Sequence, residues 1–217
     1  MSIRNRYETE LSTVFNKLIK MCRGVEIAIE KAINSLSHRN EELAKEVIQE
    51  DKNIDDQEHE IEQDCLKILL LEHPVASDFR EVSAALKMIT DLERIGDQAA
   101  DISEITFQFG AEDFIKEPEH IREMAKYAIE MVKDSVLSYI NRDLDLARSL
   151  DHRDDKVDKL FRQIKDDLVA LIQKDGKNAD QAILFMMVAK YIERIADHAV
   201  NIGEWVEYAM TGVHKAG

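Results

Sequence analysis

The chain has 217 residues, 44 of them acidic and 29 basic, and its formal net charge is −15. Seven glycines and two prolines are too few for the turns of a many-stranded sandwich or barrel, so the composition excludes those folds and predicts long helices. The negative charge repels nucleic-acid phosphates and anionic lipid, which argues against direct nucleic-acid binding.

Apolar residues at helical spacing run through the first half of the chain. Steps of three and four over 15–36 predict a first helix, and Asn40 is the predicted N-cap of a second. Pro74 ends that second helix, because proline cannot continue a helix. Ser77 or Asp78 is the predicted start of the third. Three long helices are therefore expected before the pattern breaks.

Three more helices are predicted in the second half, after the apolar pattern breaks around Gly110. Glu117 and Pro118 have the features of a helix start, with proline at the first helical position. A fifth helix follows and ends in a polar segment. Asn178 is the predicted N-cap of the sixth helix, with Gln181 three residues later as in a capping box.

The two halves repeat one pattern. A shift of 103 residues places Leu18 on Ile121, and a shift of 100 residues later aligns two Glu-Arg-Ile triplets that start at Glu93 and Glu193. Three antiparallel helices in each half would bury their apolar stripes on one another. The predicted fold is therefore all-α, with two tandem three-helix bundles over residues 1–110 and 111–217.

Cysteine content and hydropathy bear on the compartment. Cys22 and Cys65 form no CxxC pair, so they cannot supply a thiolate zinc set, and they fit a reduced setting. The longest purely apolar run, 182–189, is too short to span a bilayer. No apolar run follows the N-terminal arginines, so no secretory signal is predicted. We expect a cytoplasmic protein without direct membrane insertion.

Acidic side chains occupy positions that the helical spacing assigns to the core. Asp51 and Asp154 take such positions in the second and fifth helices, and each is followed four residues later by another aspartate. The third and sixth helices carry Glu-x-x-x-Asp pairs at matching heights, given a rise of about 1.5 Å per residue. The candidate metal ligands are Asp51, Asp55, Glu93, Asp97, Asp101, Asp154, Asp158, Glu193, Asp197 and Asn201.

Carboxylates that face one another repel, and burying them unpaired costs several kcal/mol per charge. They can face water, pair with protons or with Arg94 and Arg194, or bind a cation. A solvated acidic face is the simpler interpretation of any single carboxylate. Recurrence of the same arrangement in both halves favours metal, because oxygen ligands suit hard cations such as Mg²⁺, Ca²⁺ or Mn²⁺ and can hold iron.

The chain resembles the PhoU family over almost its whole length. The resemblance is carried by the acidic motifs at 51–55, 93–97, 154–158 and 193–197 and by the His-Pro-Val-Ala-Ser-Asp-Phe-Arg turn at 73–80. It implies two three-helix bundles, each with a multinuclear cluster of iron, zinc, manganese or magnesium. Asn201, which stands where the first half has Asp101, departs from the acidic pattern and weakens or alters the second site.

The same resemblance implies a regulator and not an enzyme. PhoU-like proteins act as negative regulators of the phosphate-starvation response, and the implied partners are a sensor histidine kinase and the ATPase subunit of a phosphate ABC transporter. A homodimer is also expected. Metal bound to an acidic face would reverse its local sign and shape such an interaction surface.

Two alternatives stay open. A ferritin-like di-iron protein needs two Glu-x-x-His motifs, but the chain has one such spacing, Glu117 to His120, which crosses a predicted helix start. A metal-free helical scaffold predicts acidic seams that are fully open to water. His59 and His198 lie beside the acidic stripes, where each is either a further ligand or an ordinary solvent-facing histidine.

Overall fold

The computed structural model describes residues 3–72, 74–109, 113–116 and 118–213. Six long helices and one short 3₁₀ turn before the last helix form the fold: α1 (Ile3–His38), α2 (Glu41–Leu71), α3 (Ala76–Thr106), α4 (Glu119–Asn141), α5 (Leu144–Lys174) and α6 (Ala179–Thr211). No strand occurs within these ranges, which confirms the all-α prediction. None of the described helices is long and apolar enough to cross a membrane.

The turns between the first two helices of each repeat are built alike. Asn40 caps α2 as predicted, because its side chain accepts the backbone N–H three residues later at 3.1 Å. Asp143 caps α5 in the same way at 2.9 Å. Arg39 and Arg142 precede these caps with left-handed backbones, at φ values of 49° and 52°. Matching local chemistry therefore produces the same tight turn twice.

Two predicted helix starts differ slightly from the structure. Helix α3 begins at Ala76, one residue before Ser77, the earlier of its two predicted starts, and no side chain caps it. Helix α4 begins at Glu119, so Pro118 precedes the helix instead of occupying its first position. Glu117 lies outside the described residues.

Asn178 directly precedes the first residue of α6, as predicted for its N-cap, but its side chain does not cap the helix. Asn178 has a helical backbone at the end of the 3₁₀ turn and makes no side-chain cap hydrogen bond. Its Nδ2 donates instead to the backbone oxygen of Leu171, 2.9 Å away. Gln181 is also engaged elsewhere: its Oε1 accepts the backbone N–H of Ile115 at 3.1 Å. Tertiary contacts to α5 and to the connection between α3 and α4 thus override the local capping pattern.

The helices pack as two three-helix bundles that share one core. Helices α1, α3, α6 and α4 form a square in which each contacts the next, with α2 outside α1 and α3 and with α5 outside α4 and α6. Buried apolar residues from all six long helices form one continuous cluster. The α3/α6 face and the α1/α4 face therefore lie on opposite sides of the square. The predicted boundary between residues 110 and 111 falls outside the described residues and stays a prediction.

One buried polar network ties the two repeats together at the N-terminal end of α3. Glu81 is buried, and its Oε1 accepts two hydrogen bonds from the Arg142 guanidinium, at 2.6 and 3.1 Å. Tyr139 donates to the backbone oxygen of Glu81 at 2.6 Å, and Tyr7 donates to its carboxylate at 3.4 Å. The network joins α1, α3 and the α4–α5 turn.

We expect Arg142→Asn to lower the free energy of unfolding by about 1 kcal/mol, because it removes a charge-assisted pair that solvent partly screens. Asparagine retains the left-handed backbone that this turn requires. Urea denaturation measures the loss, and the same substitution in a Glu81→Gln background is expected to cost less. Equal losses in the two backgrounds would show that the ion pair makes no contribution.

Candidate functional site

The first acidic cluster lies where α2 packs on α3. Asp51 is partly buried, and its pKa is raised from 3.8 to about 6, first by desolvation and then by the charges of Asp55, Asp97 and Asp101. Burial also raises the pKa of Glu93, with a further contribution from Asp97. Asp55, Asp97 and Asp101 are therefore close enough to Asp51 to disfavour its ionisation, and Asp97 does the same to Glu93.

Gly96 allows Asp51 to lie against the backbone of α3. A Cβ atom at this position would stand 3.0 Å from Asp51 Oδ1 and 3.0 Å from Ile54 Cδ1. Close approach of α2 and α3 thus pushes the carboxylate into the groove between the two helices. The second repeat has Ala196 at the equivalent position, so the two clusters differ in how tightly their helices approach.

The second cluster repeats the arrangement between α5 and α6. Desolvation raises the pKa of Asp154 from 3.8 to about 6, with added repulsion from Asp197, Asp158, Glu193 and then Asp155. The Oδ1 atom of Asp154 is buried and has no hydrogen-bond partner among the described residues. A buried carboxylate oxygen that has no hydrogen-bond partner and lies beside other carboxylates needs a positively charged group to stabilise its ionised form.

Basic side chains compensate only part of this charge. Arg94 lies 3.4 Å from Glu93 and 3.2 Å from Asp97, on an exposed position of α3. Lys190 pairs with Glu193 in the second cluster. Since each cluster contains at least four carboxyl groups, one such pairing leaves a net negative charge in each groove when the groups ionise.

Asn201 and His198 form hydrogen bonds with a residue of the first repeat. Asp91 on α3 accepts from His198 Nδ1 at 2.8 Å and from Asn201 Nδ2 at 3.4 Å, across the α3/α6 contact. Asp91 was not among the predicted site residues, because its repeat equivalent is Tyr191 and the acidic pattern does not recur there. His59 is exposed, with its Nδ1 2.9 Å from the backbone oxygen of Asp55.

The donor chemistry fits hard cations, but the coordination geometry is not formed. Carboxylate oxygens with raised pKa values in paired grooves are suitable ligands for such ions. No three His, Cys, Asp or Glu side chains of the described residues are arranged closely enough to hold an ion. The ligand assignments therefore stay predictions, and binding would require side-chain rotations that bring the carboxylates together.

Separate observations bear on the two alternative interpretations, the ferritin-like di-iron protein and the metal-free helical scaffold. Glu117, half of the single di-iron spacing match, lies outside the described residues, and the ring of His120 lies 3.5 Å from Asp167 in the α4/α5 contact. Asp51 and Asp154 are only partly exposed, which departs from the fully hydrated seams that a metal-free scaffold predicts.

Comparisons with known proteins agree with the repeated fold. The family model of the PhoU domain matches this chain twice, over residues 18–106 and 121–206. A "phosphate-specific transport system accessory protein PhoU homolog" from Clostridium acetobutylicum is 34% identical over 213 residues, covering 96% of both chains. One of the same description from Aquifex aeolicus is 38% identical over 185 residues, covering 85% of this chain and 84% of that protein.

A solved structure extends the similarity to three dimensions. The crystal structure of PhoU from Pseudomonas aeruginosa superposes with a TM-score of 0.89 and 30% sequence identity. The alignment covers 95% of this chain and all of that one. The similarity therefore includes both bundles and their relative arrangement.

Proposed function

This chain belongs to the PhoU family, and we propose from that membership that it regulates phosphate transport as an adaptor without a catalytic step. Relatives aligned over nearly its full length are described as accessory proteins of a phosphate-specific transport system. In the proposed role it is a negative regulator that connects the ATPase subunit of a phosphate ABC transporter to a sensor histidine kinase.

We further propose that each acidic cluster binds hard cations. One observation carries this proposal: in both repeats, a partly buried aspartate with a pKa near 6 lies close to carboxylates of its own helix and of the facing helix. Asp51, Asp55, Glu93, Asp97 and Asp101 would hold ions in the first half. A bound multivalent cation supplies positive charge where none of the nearby side chains supplies enough.

Cation binding would give the adaptor a surface whose charge depends on how many cations are bound. Both clusters border the α3/α6 face, where Asp101 of the first repeat lies in the field of Arg194 of the second. A loaded cluster would be less negative than an empty one, so partners of opposite local charge would distinguish the two states. The proposed signal is thus electrostatic and requires no change of fold.

The metal proposal is tested by the double substitution Glu93→Ala with Asp97→Ala. We expect a lower metal content by elemental analysis, because both α3 ligands of the first cluster, Glu93 and Asp97, are removed. Helicity should stay unchanged, since neither side chain belongs to the apolar core. The matched control removes two exposed acids of α2, Asp56→Ala with Glu62→Ala. Unchanged metal stoichiometry in the Glu93/Asp97 variant would refute the ligand assignment.

The adaptor role is tested by affinity purification from nuclease-treated extracts of the native host. We expect a sensor histidine kinase or the phosphate-transporter ATPase subunit to co-purify, and we expect loss of this chain to derepress a phosphate-starvation reporter in high phosphate. Retention of neither partner together with an unaffected reporter would contradict the role. Metal content is measured separately, so failure of one proposal leaves the other testable.

A further inference from the structure

An uncovered strip of the surface runs along α2 and onto the start of α3. Among the described residues, α2 packs on α1 and α3 and on no other helix, so its outward side faces solvent. The α2/α3 strip, as we call it, consists of residues spaced by four on each helix: Glu58, Glu62, Leu66 and Leu70 on α2, with Val75 and Phe79 where α3 begins. None of the predicted metal ligands belongs to it.

A contact between the two helices fixes which residues of the strip lie at the same height. Thr90 Oγ1 on α3 donates to Glu58 Oε1 on α2 at 3.3 Å. Because the helices are antiparallel, the residue number rises on α2 and falls on α3 toward the turn. Extended toward the turn, this register places Phe79 level with position 69, between Leu66 and Leu70. The apolar side chains of the strip therefore lie together near the turn, and its acids lie beyond them.

The apolar end of the strip is exposed to solvent. The exposed fractions are 44% for Leu66, 74% for Leu70, 61% for Val75 and 52% for Phe79. A single exposed apolar side chain is ordinary on a protein surface, but several large ones together are typical of a surface that another molecule covers.

Acidic side chains extend the strip away from the turn. Glu62 and Glu58 stand about one and two helical turns beyond Leu66, roughly 6 and 12 Å along α2. Glu62 is exposed, and no cation of the described residues lies within 4 Å of its carboxylate. The first acidic cluster begins beyond Glu58, so the negative charge continues along the same groove.

The basic groups beside the strip leave this charge largely uncompensated. Lys67 pairs with Glu10 on α1 at 3.0 Å. Arg80 lines a separate pocket together with residues of α6. His59 lies 3.9 Å from Glu58 and supplies a positive charge only when it is protonated. The strip thus combines an apolar end with an acidic one.

The second repeat has the apolar end without the acidic one. The shift of 103 residues places Val169, which is 45% exposed, on Leu66. The same shift places Phe161 and Lys165 on the two glutamates. A ligand that needs both ends would therefore bind the first repeat and not the second.

We propose that the α2/α3 strip is the docking site for an amphipathic helix of a partner protein, with aliphatic side chains at the apolar end and lysine or arginine at the acidic end. The strip extends for about 18 Å along α2, which a helix of about 12 residues covers. Helices that dock in this way present apolar anchors three and four residues apart, which suits the exposed side chains near the turn.

Charge selects this occupant over others. The chain has a net charge of −15, and the acidic end of the strip adds a local negative field that attracts a basic segment. The same field repels anionic lipid and the equivalent strip of a second copy. The inference rests on the adaptor role proposed above, since an adaptor binds a partner, but it does not depend on metal binding.

A designed peptide tests the strip on the purified, chelator-treated full chain. The probe is a fluorescein-labelled helix of about 15 leucine and lysine residues with all leucines on one face, and fluorescence anisotropy gives its Kd. Leu70→Ser with Phe79→Ser is expected to weaken binding by about tenfold, because two apolar anchors are lost. Glu58→Gln with Glu62→Gln is expected to weaken it by about tenfold and to reduce its salt dependence.

Matched controls separate the strip from a general attraction to an acidic protein. Val169→Ser with Ile183→Ser removes two exposed apolar side chains from the second repeat, and Asp166→Asn with Asp180→Asn removes two exposed charges there. Both are expected to leave the Kd unchanged. A peptide of the same composition with its leucines scattered around the helix is expected to bind about tenfold more weakly. Circular dichroism checks that each variant is folded.

Equal binding of the ordered and scattered peptides would overturn the proposal, and so would strip variants that bind as tightly as the wild type. Binding to phosphatidylcholine and phosphatidylglycerol vesicles in place of the peptide, abolished by the Leu70 and Phe79 substitutions, would assign the strip to a lipid surface and would also overturn it. Co-purification and the reporter measure the adaptor role itself. A retained partner without peptide binding would therefore overturn the docking site alone.

Discussion

Replacing Asp51 and Asp154 together by asparagine is expected to stabilise the metal-stripped protein at neutral pH and to destabilise the metal-loaded protein. The carboxyl pKa values near 6, against 3.8 for an unperturbed aspartate, mean that the folded state disfavours the ionised form. Asparagine has a similar shape but no charge, so it removes the desolvation and repulsion that the empty clusters impose.

The size of the expected gain in the free energy of unfolding follows from the pKa shift of each aspartate. In a dry site this shift would correspond to about 3 kcal/mol per group, and solvent around these partly exposed carboxyls reduces it to about 1 kcal/mol each. Because the folded-state pKa is raised, the wild-type stability is unaffected below pH 3.8, falls as the pH rises toward about 6, and stays lower above that. The gain from asparagine therefore grows over the same window and then remains constant.

Metal reverses the sign, because ions that bind only the folded state stabilise it and the variant has lost a ligand in each cluster. Thermal unfolding with and without a chelator, at neutral and acidic pH, measures both effects. The matched control is Asp56→Asn with Asp166→Asn, two exposed positions, for which we expect little change in either state. A stability change of the same sign with and without metal would contradict the interpretation.

Gly203→Leu is expected to lower the free energy of unfolding by about 3 kcal/mol, at the upper end of the range for overpacked cores. Position 203 lies where α6 crosses α5. A Cβ atom there would stand 2.7 Å from Leu150 Cδ1 and 3.0 Å from the backbone oxygen of Ala147. A side-chain end can move aside, but a helix carbonyl moves only with its helix.

The matched control for this substitution is Gly24→Leu. Gly24 also lies within a helix, and its nearest neighbour is a side-chain nitrogen of Gln57 at 4.0 Å. Leucine there is expected to gain about 0.5–1 kcal/mol from helix propensity. Chemical denaturation of both variants compares the two positions. If Gly203→Leu lowers the free energy of unfolding by no more than Gly24→Leu changes it, α5 and α6 adjust to the larger side chain without cost.

Sequence reasoning reached the helices and the acidic pairs because both are governed by local spacing. The helical spacing of apolar residues and the capping residues predicted α1 to α6, and Asn40 caps α2 as expected. The antiparallel height of Asp51 and Asp97 followed from helix rise alone, and the pKa of Asp51 records the proximity of Asp97.

Features that depend on packing between distant segments were not predictable in this way. Asn178 has a good capping side chain, but a hydrogen bond to Leu171 uses it elsewhere. Asp91 aligns with Tyr191 in the second repeat, so the repeated acidic pattern did not mark it. Its contact with His198 exists only because α3 packs on α6. The close approach at Gly96 likewise results from the packing of α2 against α3. A single glycine in the sequence does not predict that contact.

Elemental analysis of the protein, purified without chelator or affinity metal, tests the central claim most directly. The account predicts at least one iron, zinc, manganese or magnesium ion bound in each half of the chain. Ions should be lost from the first half with Glu93→Ala and Asp97→Ala, and from the second half with Glu193→Ala and Asp197→Ala. A protein that contains no such ion after purification, and that takes up none when each of these metals is supplied, would contradict it.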